Sequence, residues 1–575
     1  MEEKKRTGYP SIDKPWLQYY SEGIQSNPLP ENSLYGYLWE KNKDFTGRFA
    51  LRYFGKRIRY KEMFSSIDNA CRAFMALGVK KNDTVSMCLV TIPETVYSFY
   101  ALNRIGAITN WIDPRTSESG ITQYLNETHS KYLVVLDACY EKIRSIISDT
   151  SIEQIVILSV SDSMPIIAKT AYNLFCKPRY SLAEHGAITW KTLIEKATDI
   201  VSLPPLQYDK NTPAVIVHTG GTTGLPKGVV LSSDSINAAV YQGVVSGGDY
   251  QREHVWLNIM PPFIAYGIGN GLHLPLTVGM EVVLIPKFDP ETYDKLLLKH
   301  KPNHIAGVPS HYDSILHSKR LKNADLSFIV SPIVGGDTMN PDMEESINCF
   351  LHQHGCKSKV IKGYGLTEVC AAVCVCSPKH NEVGSVGVPF VKTVISIFDI
   401  DTNEEQPYNA LGEICVTCPN TMIGYLNNET ATKNILKLHS DGKTWVHTAD
   451  IGYMDKDGFL FIVDRAKRLI IRSDGFKVYP AIIENTITKH SAVESCAVIG
   501  IPSPGFSQGM VPKAFVVFKR DSGKRADEML AEIRDLCRRE LPEYAQPSEY
   551  VFIDTLPLTP IGKVDYRALE RPGIK

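Results

Sequence analysis

The chain has 575 residues, so several structural units and a large core are expected, and a single small domain is excluded. Lys plus Arg (62) nearly equals Asp plus Glu (63), which argues against a nucleic-acid or other polyanionic partner and for a small ligand. The thirteen cysteines follow no disulfide spacing, the first residues lack a secretory pattern, and no apolar run reaches the roughly 18 residues a membrane span needs. A cytoplasmic protein with reduced thiols is the expectation, with membrane contact at most peripheral.

The first half alternates two textures. "RFALRYFG", "TVSMCLV" and "KYLVVLD" read as strands, whereas "FSSIDNACRAFMALGV" and "PETVYSFYALNRIGAIT" carry helical spacing. Such alternation predicts crossover units around a mostly parallel sheet. One stretch breaks the rhythm. "SMPIIAKTAYNLFCKPRY", residues 163–180, mixes apolar and basic side chains, and two readings stay open: a surface excursion with partly buried aromatics, or a peripheral membrane contact.

"PAVIV" predicts a buried strand, and "HTGGTTGLPKG" follows it at once. Glycines after a strand let backbone amides approach an anion, a lysine adds positive charge, and threonine hydroxyls can bond phosphate oxygens or a metal ion. The spacing is not that of a P-loop, since Pro226 precedes Lys227 and no serine or threonine directly follows it. Two further apolar runs end in related chemistry: "LSFIVSPIVGGD" closes on Gly335, Gly336 and Asp337, and "KVIKGYGLTE" on Tyr364, Thr367 and Glu368. Ligands of open parallel sheets gather at the carboxyl ends of strands, so the three ends are expected to converge on a nucleotide site.

Beyond Asp464 the texture changes. "AIIENTITKH", "SCAVIGIP", "KAFVVFK" and "ADEMLAEIRDLCRREL" read as helix, strand, strand, helix, which predicts a small α+β domain of about 110 residues.

Taken in order, "HTGGTTGLPKG", "YGLTE", "HTAD", "DRAKRLIIRSDGFKVYP" and "PLTPIGKVDY" resemble the adenylate-forming superfamily of acyl- and aryl-CoA ligases, adenylation domains and firefly luciferase, over roughly residues 30–570. The resemblance implies an α/β fold: a large N-terminal domain of mostly parallel sheets flanked by helices over 1–464, and a small mobile α+β domain over 465–575. It implies activation of a carboxylic acid by ATP and Mg²⁺ to an acyl-adenylate, then transfer to CoA. Thr219, Gly220, Gly221, Thr222, Thr223, Gly224 and Lys227 would hold phosphates. Tyr364, Gly365 and the Gly335, Gly336, Asp337 segment would hold adenine, and Asp450 and Arg465 the ribose. Glu368 would ligate Mg²⁺ with Thr223, and Thr367 would lie near the α-phosphate. Lys563 would supply positive charge between phosphate and carboxylate, Gly475 would line the thiol's path, and Lys467 matches the hinge position.

The segment "MPPFIAYGIG", Met260 to Gly269, has no acidic residue to anchor an ammonium, so an uncharged, largely apolar acid is implied, with Phe263, Ile264, Gly335 and Gly363 at its pocket. The chain runs twelve residues past Lys563 and carries no carrier domain there, which favours CoA; a separate carrier protein is the alternative acceptor. A non-catalytic nucleotide-binding regulator would be expected to have lost Glu368, Asp450 or Lys563. The close trio Cys370, Cys374 and Cys376 is expected to pack as small apolar groups, because its spacing matches no closed zinc site.

Overall fold

The computed structural model describes residues 6–176, 178, 186–200, 202–206, 208–219, 226–337, 339, 341–465, 468–472, 477–502, 510–519, 525–558 and 564–571. The helical spacing seen in the sequence becomes the helix Tyr60–Ala76, whose Met63, Phe64, Ile67, Cys71 and Phe74 form a buried stripe. Its first turn is closed by Glu62, which accepts the Arg59 amide at 2.6 Å. The next helix, Pro93–Ile105, starts with proline at a position that needs no amide donor and stops at Gly106, whose φ of 84° is left-handed.

Between and after these helices run Thr84–Cys88, Ile108–Trp111 and Tyr132–Leu136, paired in parallel as the alternation predicts. They are the centre of an eight-stranded sheet. On one side of them it continues through Pro213–His218, Gly228–Ser232 and Gly424–Tyr425, and on the other through Gln154–Leu158 and Ala187–Thr189.

The first predicted strand, Phe49–Tyr53, belongs elsewhere. It lies in a second, nine-stranded sheet, parallel to Glu281–Leu284 and antiparallel to Lys56–Arg59. A period-2 pattern says that a strand has a buried face, and leaves its partner open. Here the partner is marked by charge: Arg52 and Arg57 both pair with buried Glu281, at 2.6 and 2.7 Å. Burial pushes that carboxyl up, the two guanidinium groups hold it down, and its pKa ends below the usual carboxylate value. The same sheet contains Ser331–Val334 and Ile361–Tyr364 side by side and parallel. One apolar cluster containing Phe99, Trp111, Val217, Trp256, Leu272 and Ile333 fills the space served by both sheets.

A five-stranded sheet follows, in which Thr444–Met454 pairs antiparallel with Gly412–Thr417, Leu436–Leu438 and Leu460–Arg465. The C-terminal part has the predicted elements: helix Pro480–Thr488, strands Val493–Pro502 and Met510–Phe518, helix Ala526–Glu540 and a parallel third strand Glu549–Phe552. Its own core includes Ile483, Ile487, Val498, Val516 and Ile533. Arg468, half-buried, lies 2.5 Å from Glu484, 3.1 Å from Asp464 and over the Tyr566 ring. Asp464 also accepts the Ala481 amide at 2.8 Å, so the end of one sheet is fastened to the start of a C-terminal helix. Among the described residues, no helix is long and apolar enough to cross a membrane.

Candidate active site

The strand Pro213–His218 ends in His218, whose ring stacks on Tyr124 at 3.7 Å and meets Asn110 Oδ1 through Nε2 at 2.9 Å. Burial holds its pKa down to about 4, so the ring is neutral near neutrality. Past it the Thr219 amide donates to the Lys227 carbonyl at 3.0 Å, and the Lys227 amide donates back to Thr219 Oγ1 at 3.1 Å. These bonds pin the two ends of the glycine-rich loop. Gly220, Gly221, Thr222, Thr223 and Gly224 lie outside the described residues, as do Lys467, Gly475 and Lys563.

The predicted strand ends divide between two sheets. Those before Gly335 and Gly365 are neighbours in the nine-stranded sheet, whereas the one before Thr219 is in the eight-stranded sheet. A residue that sequence reasoning missed joins them. Tyr425 donates its hydroxyl to Glu368 Oε1 at 2.6 Å while Lys227 Nζ sits 4.6 Å from the centre of its ring. The ring therefore stands between the Lys227 cation and the Glu368 carboxylate, held by a charge-assisted hydrogen bond on one side and a cation–π contact on the other. Tyr425 is placed by the pairing of Gly424–Tyr425 with Gly228–Ser232, where it faces Val229. Burial first, and the Glu368 carboxylate second, raise its pKa, so it remains a phenol donor.

Glu368 is buried in the short 3₁₀ turn Thr367–Val369, and its backbone carbonyl accepts the Met422 amide at 2.8 Å. Among the described residues it has no ion-pair partner. Thr367, in the same turn, accepts the Cys370 amide on its carbonyl. Gly365 is required by geometry, since a Cβ there would stand 1.5 Å from the Ala371 carbonyl oxygen. Gly335 is buried with its hydrogen facing Tyr266 and the Gly363 carbonyl, whereas Gly336 and Asp337 are exposed.

A second constellation is centred on Asp450. Tyr364 donates its hydroxyl to Oδ2 at 2.6 Å, and Arg465 Nε pairs with Oδ1 at 2.7 Å. Asp450 and Arg465 are cross-strand neighbours in the five-stranded sheet. Burial raises the Asp450 pKa, and Arg465 and Tyr364 act against it, so both carboxylate oxygens are engaged by donors. Ala449, just before it, takes a left-handed φ of 56°, which costs an alanine about 1–2 kcal/mol. Its amide donates to Glu413 Oε1 at 2.9 Å, and Glu413 Oε2 meets His447 Nδ1 at 2.7 Å. Cys415 Sγ lies 3.6 Å from the same nitrogen. This cluster braces the left-handed kink in the strand that presents Asp450.

Phe263, Ile264, Ile268, Cys370, Ala371 and Ala372 share one apolar cluster, and no acidic side chain comes from Met260–Gly269. Cys370, Cys374 and Cys376 are free and buried; Cys374 and Cys376 donate to the Val386 and Ser385 carbonyls, and burial pushes the Cys376 thiol up to about 12.

Residues 38–426 match the family model of the AMP-binding enzyme, and residues 482–563 that of the AMP-binding enzyme C-terminal domain. A long-chain-fatty-acid–CoA ligase of Bacillus subtilis strain 168 is 31% identical, over 97% of each chain. A 4-coumarate:CoA ligase of Petunia hybrida is 28% identical over 94% of each. Among solved structures, ATP-bound MatB from Rhodopseudomonas palustris matches with a TM-score of 0.78 at 22% identity, covering 93% of this chain and 98% of its own. A fatty acyl CoA synthetase of Mycobacterium tuberculosis matches with a TM-score of 0.70 at 21% identity, covering 96% and 98%.

Proposed function

The chain belongs to the AMP-binding enzyme family, and from that premise we propose that it joins a largely apolar carboxylic acid, of the fatty-acid class, to coenzyme A at the expense of ATP. A carboxylate is a poor electrophile. Its oxygen attacks the α-phosphorus, the bond to pyrophosphate breaks, and the acyl-adenylate results. The thiol sulfur of CoA then attacks the acyl carbon, AMP leaves, and the thiol proton goes to solvent.

The observation that carries this reading is the Lys227, Tyr425, Glu368 contact, which supports one site built from both large sheets. Lys227 and Thr219 are proposed to take the phosphates, with Gly220, Gly221, Thr222, Thr223 and Gly224. Asp450 and Arg465 are proposed for the ribose, Tyr364 with Gly335, Gly336 and Asp337 for the base, and Thr367 for the α-phosphate. Glu368 fits a magnesium ion carried in with ATP, because it is a hard oxygen donor bonded to a neutral phenol and free of a competing cation among the described residues. Bound there, the ion would neutralise phosphate charge. Phe263 and Ile264 are proposed for the acyl chain, and their apolar cluster supports an uncharged substrate. The domain boundary is proposed at residues 464–467, with Lys467 as pivot, Lys563 serving the first half-reaction and Gly475 the second.

A panel of carboxylic acids from acetate to palmitate and benzoate, assayed for pyrophosphate release with and without CoA, tests the proposal. Pyrophosphate release with the longer aliphatic acids and AMP release with free CoA as sole acceptor are expected. Pyrophosphate release without any thioester until a carrier protein is added would assign the acceptor to a carrier instead.

A further inference from the structure

The helix Ile166–Phe175 is amphipathic with its apolar stripe turned away from the protein. None of its residues is buried. It is held by its polar side and two small contacts: Ala168 and Tyr172 touch the core, Lys169 Nζ donates to the Asp162 carbonyl at 3.3 Å, and Asn173 Oδ1 accepts the Ser161 hydroxyl at 3.1 Å. Facing out are Ile166, Ile167, Leu174 and Phe175, exposed by 84, 87, 73 and 85%. Helical spacing puts Thr170 and Ala171 between them, and the Thr170 hydroxyl is turned back onto the Ile166 carbonyl at 2.9 Å. The stripe therefore offers no charged side chain, and its one hydroxyl is engaged.

We infer that this helix is a docking surface for the headgroup region of an anionic phospholipid bilayer, into which Ile166, Ile167, Leu174 and Phe175 insert. Size argues against a second protein as occupant. A ten-residue helix is about 15 Å long. One face of it falls well short of the ~800 Å² per partner that a stable protein interface buries. Interfacial insertion needs no more than such a stripe, provided cations flank it. Just past the helix, from Cys176 to Ala183, the sequence carries Lys177 and Arg179 and no acidic side chain, whereas Lys169 is turned to the protein. Lys177 and Arg179 lie outside the described residues and enter only as charge, which complements an anionic surface. The inference does not rest on the reaction proposed above.

Flotation of the full chain with vesicles of phosphatidylcholine and phosphatidylglycerol, and with vesicles of phosphatidylcholine alone, tests it. The full chain should float with the mixed vesicles, less with the neutral ones, and progressively less with added salt. Ile167→Glu combined with Leu174→Glu should lower partitioning by roughly 10-fold or more, because two apolar side chains no longer leave water. Both positions are exposed, so thermal stability and turnover on a water-soluble acid should be unchanged. Absence of flotation, or equal flotation of the double variant, would overturn the inference. So would a concentration-dependent dimer in sedimentation velocity that the double variant abolishes, since the stripe would then be a self-association surface.

Discussion

Tyr425 acts through one hydrogen bond and one ring contact, and the two can be separated. Tyr425→Phe keeps the ring under Lys227 and deletes the donor to Glu368. The magnesium concentration for half-maximal pyrophosphate release should rise about 10-fold, the lower end of what loss of an orienting partner costs a metal ligand, with little change in thermal stability. An unchanged magnesium dependence would remove Tyr425 from the site. Glu94 makes a prediction of a different kind. It is buried, accepts the Ser163 hydroxyl, and leaves Oε2 without a partner among the described residues; burial is the main cause that lifts its pKa to about 7. Its folded pKa exceeds the unfolded one, so its protonated form favours the fold below the ordinary carboxylate range, and that contribution is lost as pH rises through 7. Glu94→Gln should therefore gain thermal stability relative to the parent between pH 6 and 8, with the gap closing towards pH 5; a gap independent of pH would contradict the assignment. Neither residue stands out in the sequence. "GY" and "PET" are ordinary dipeptide and helix-start text, and what makes them matter is a contact from a distant segment. Glu368 and Asp450, by contrast, sit in motifs legible without a structure.

At the scale of elements, the glycine after Ile361–Tyr364 shows how a site can be set by packing. Gly365 passes so close to the Ala371 carbonyl that any side chain must push the strand end and the Cys370 turn apart. Gly365→Ala should cost about 1–3 kcal/mol of stability, the range for forced overpacking, and should reduce ATP use alongside it. Retention of full stability by urea unfolding would mean that the turn relaxes freely. Helices and strands of the first half were legible because each keeps its own texture: Tyr60–Ala76 buries a stripe, and Thr84–Cys88 is short and buried almost throughout. Their assignment to two sheets was not. Phe49–Tyr53 finds Glu281–Leu284 through long-range pairing, and the pleat alone cannot name a partner. The helix Ile166–Phe175 illustrates the converse: the sequence shows only a break in the rhythm there, and the structure turns the helix's apolar side opposite to what amphipathic periodicity usually means.

For the whole molecule, the proposed alternation assigns the two half-reactions to different parts of the C-terminal domain. Lys563→Ala should cut acid-dependent pyrophosphate formation by roughly 100-fold or more, the scale for loss of one transition-state charge stabiliser, while conversion of supplied acyl-adenylate and CoA to thioester persists. Lys467→Pro should do the reverse, because a fixed φ blocks the turn. Equal loss of both half-reactions in both folded variants would defeat the alternation. The anchors at the joint add a further consequence. Arg465 belongs to the last strand of the five-stranded sheet and Arg468 is locked among Asp464, Glu484 and Tyr566, so only three peptide links separate the two holdfasts. Three links span at most about 11 Å. In the proposed alternation a leash that short would let the small domain swivel, once Asp464 releases Arg468 and Ala481, and would forbid it to wander. Under the proposed alternation the groups it carries would stay at a high local concentration about the adenylate, so the site for the second half-reaction is completed by the same chain at a rate that dilution of the protein leaves untouched, while CoA arrives from solution.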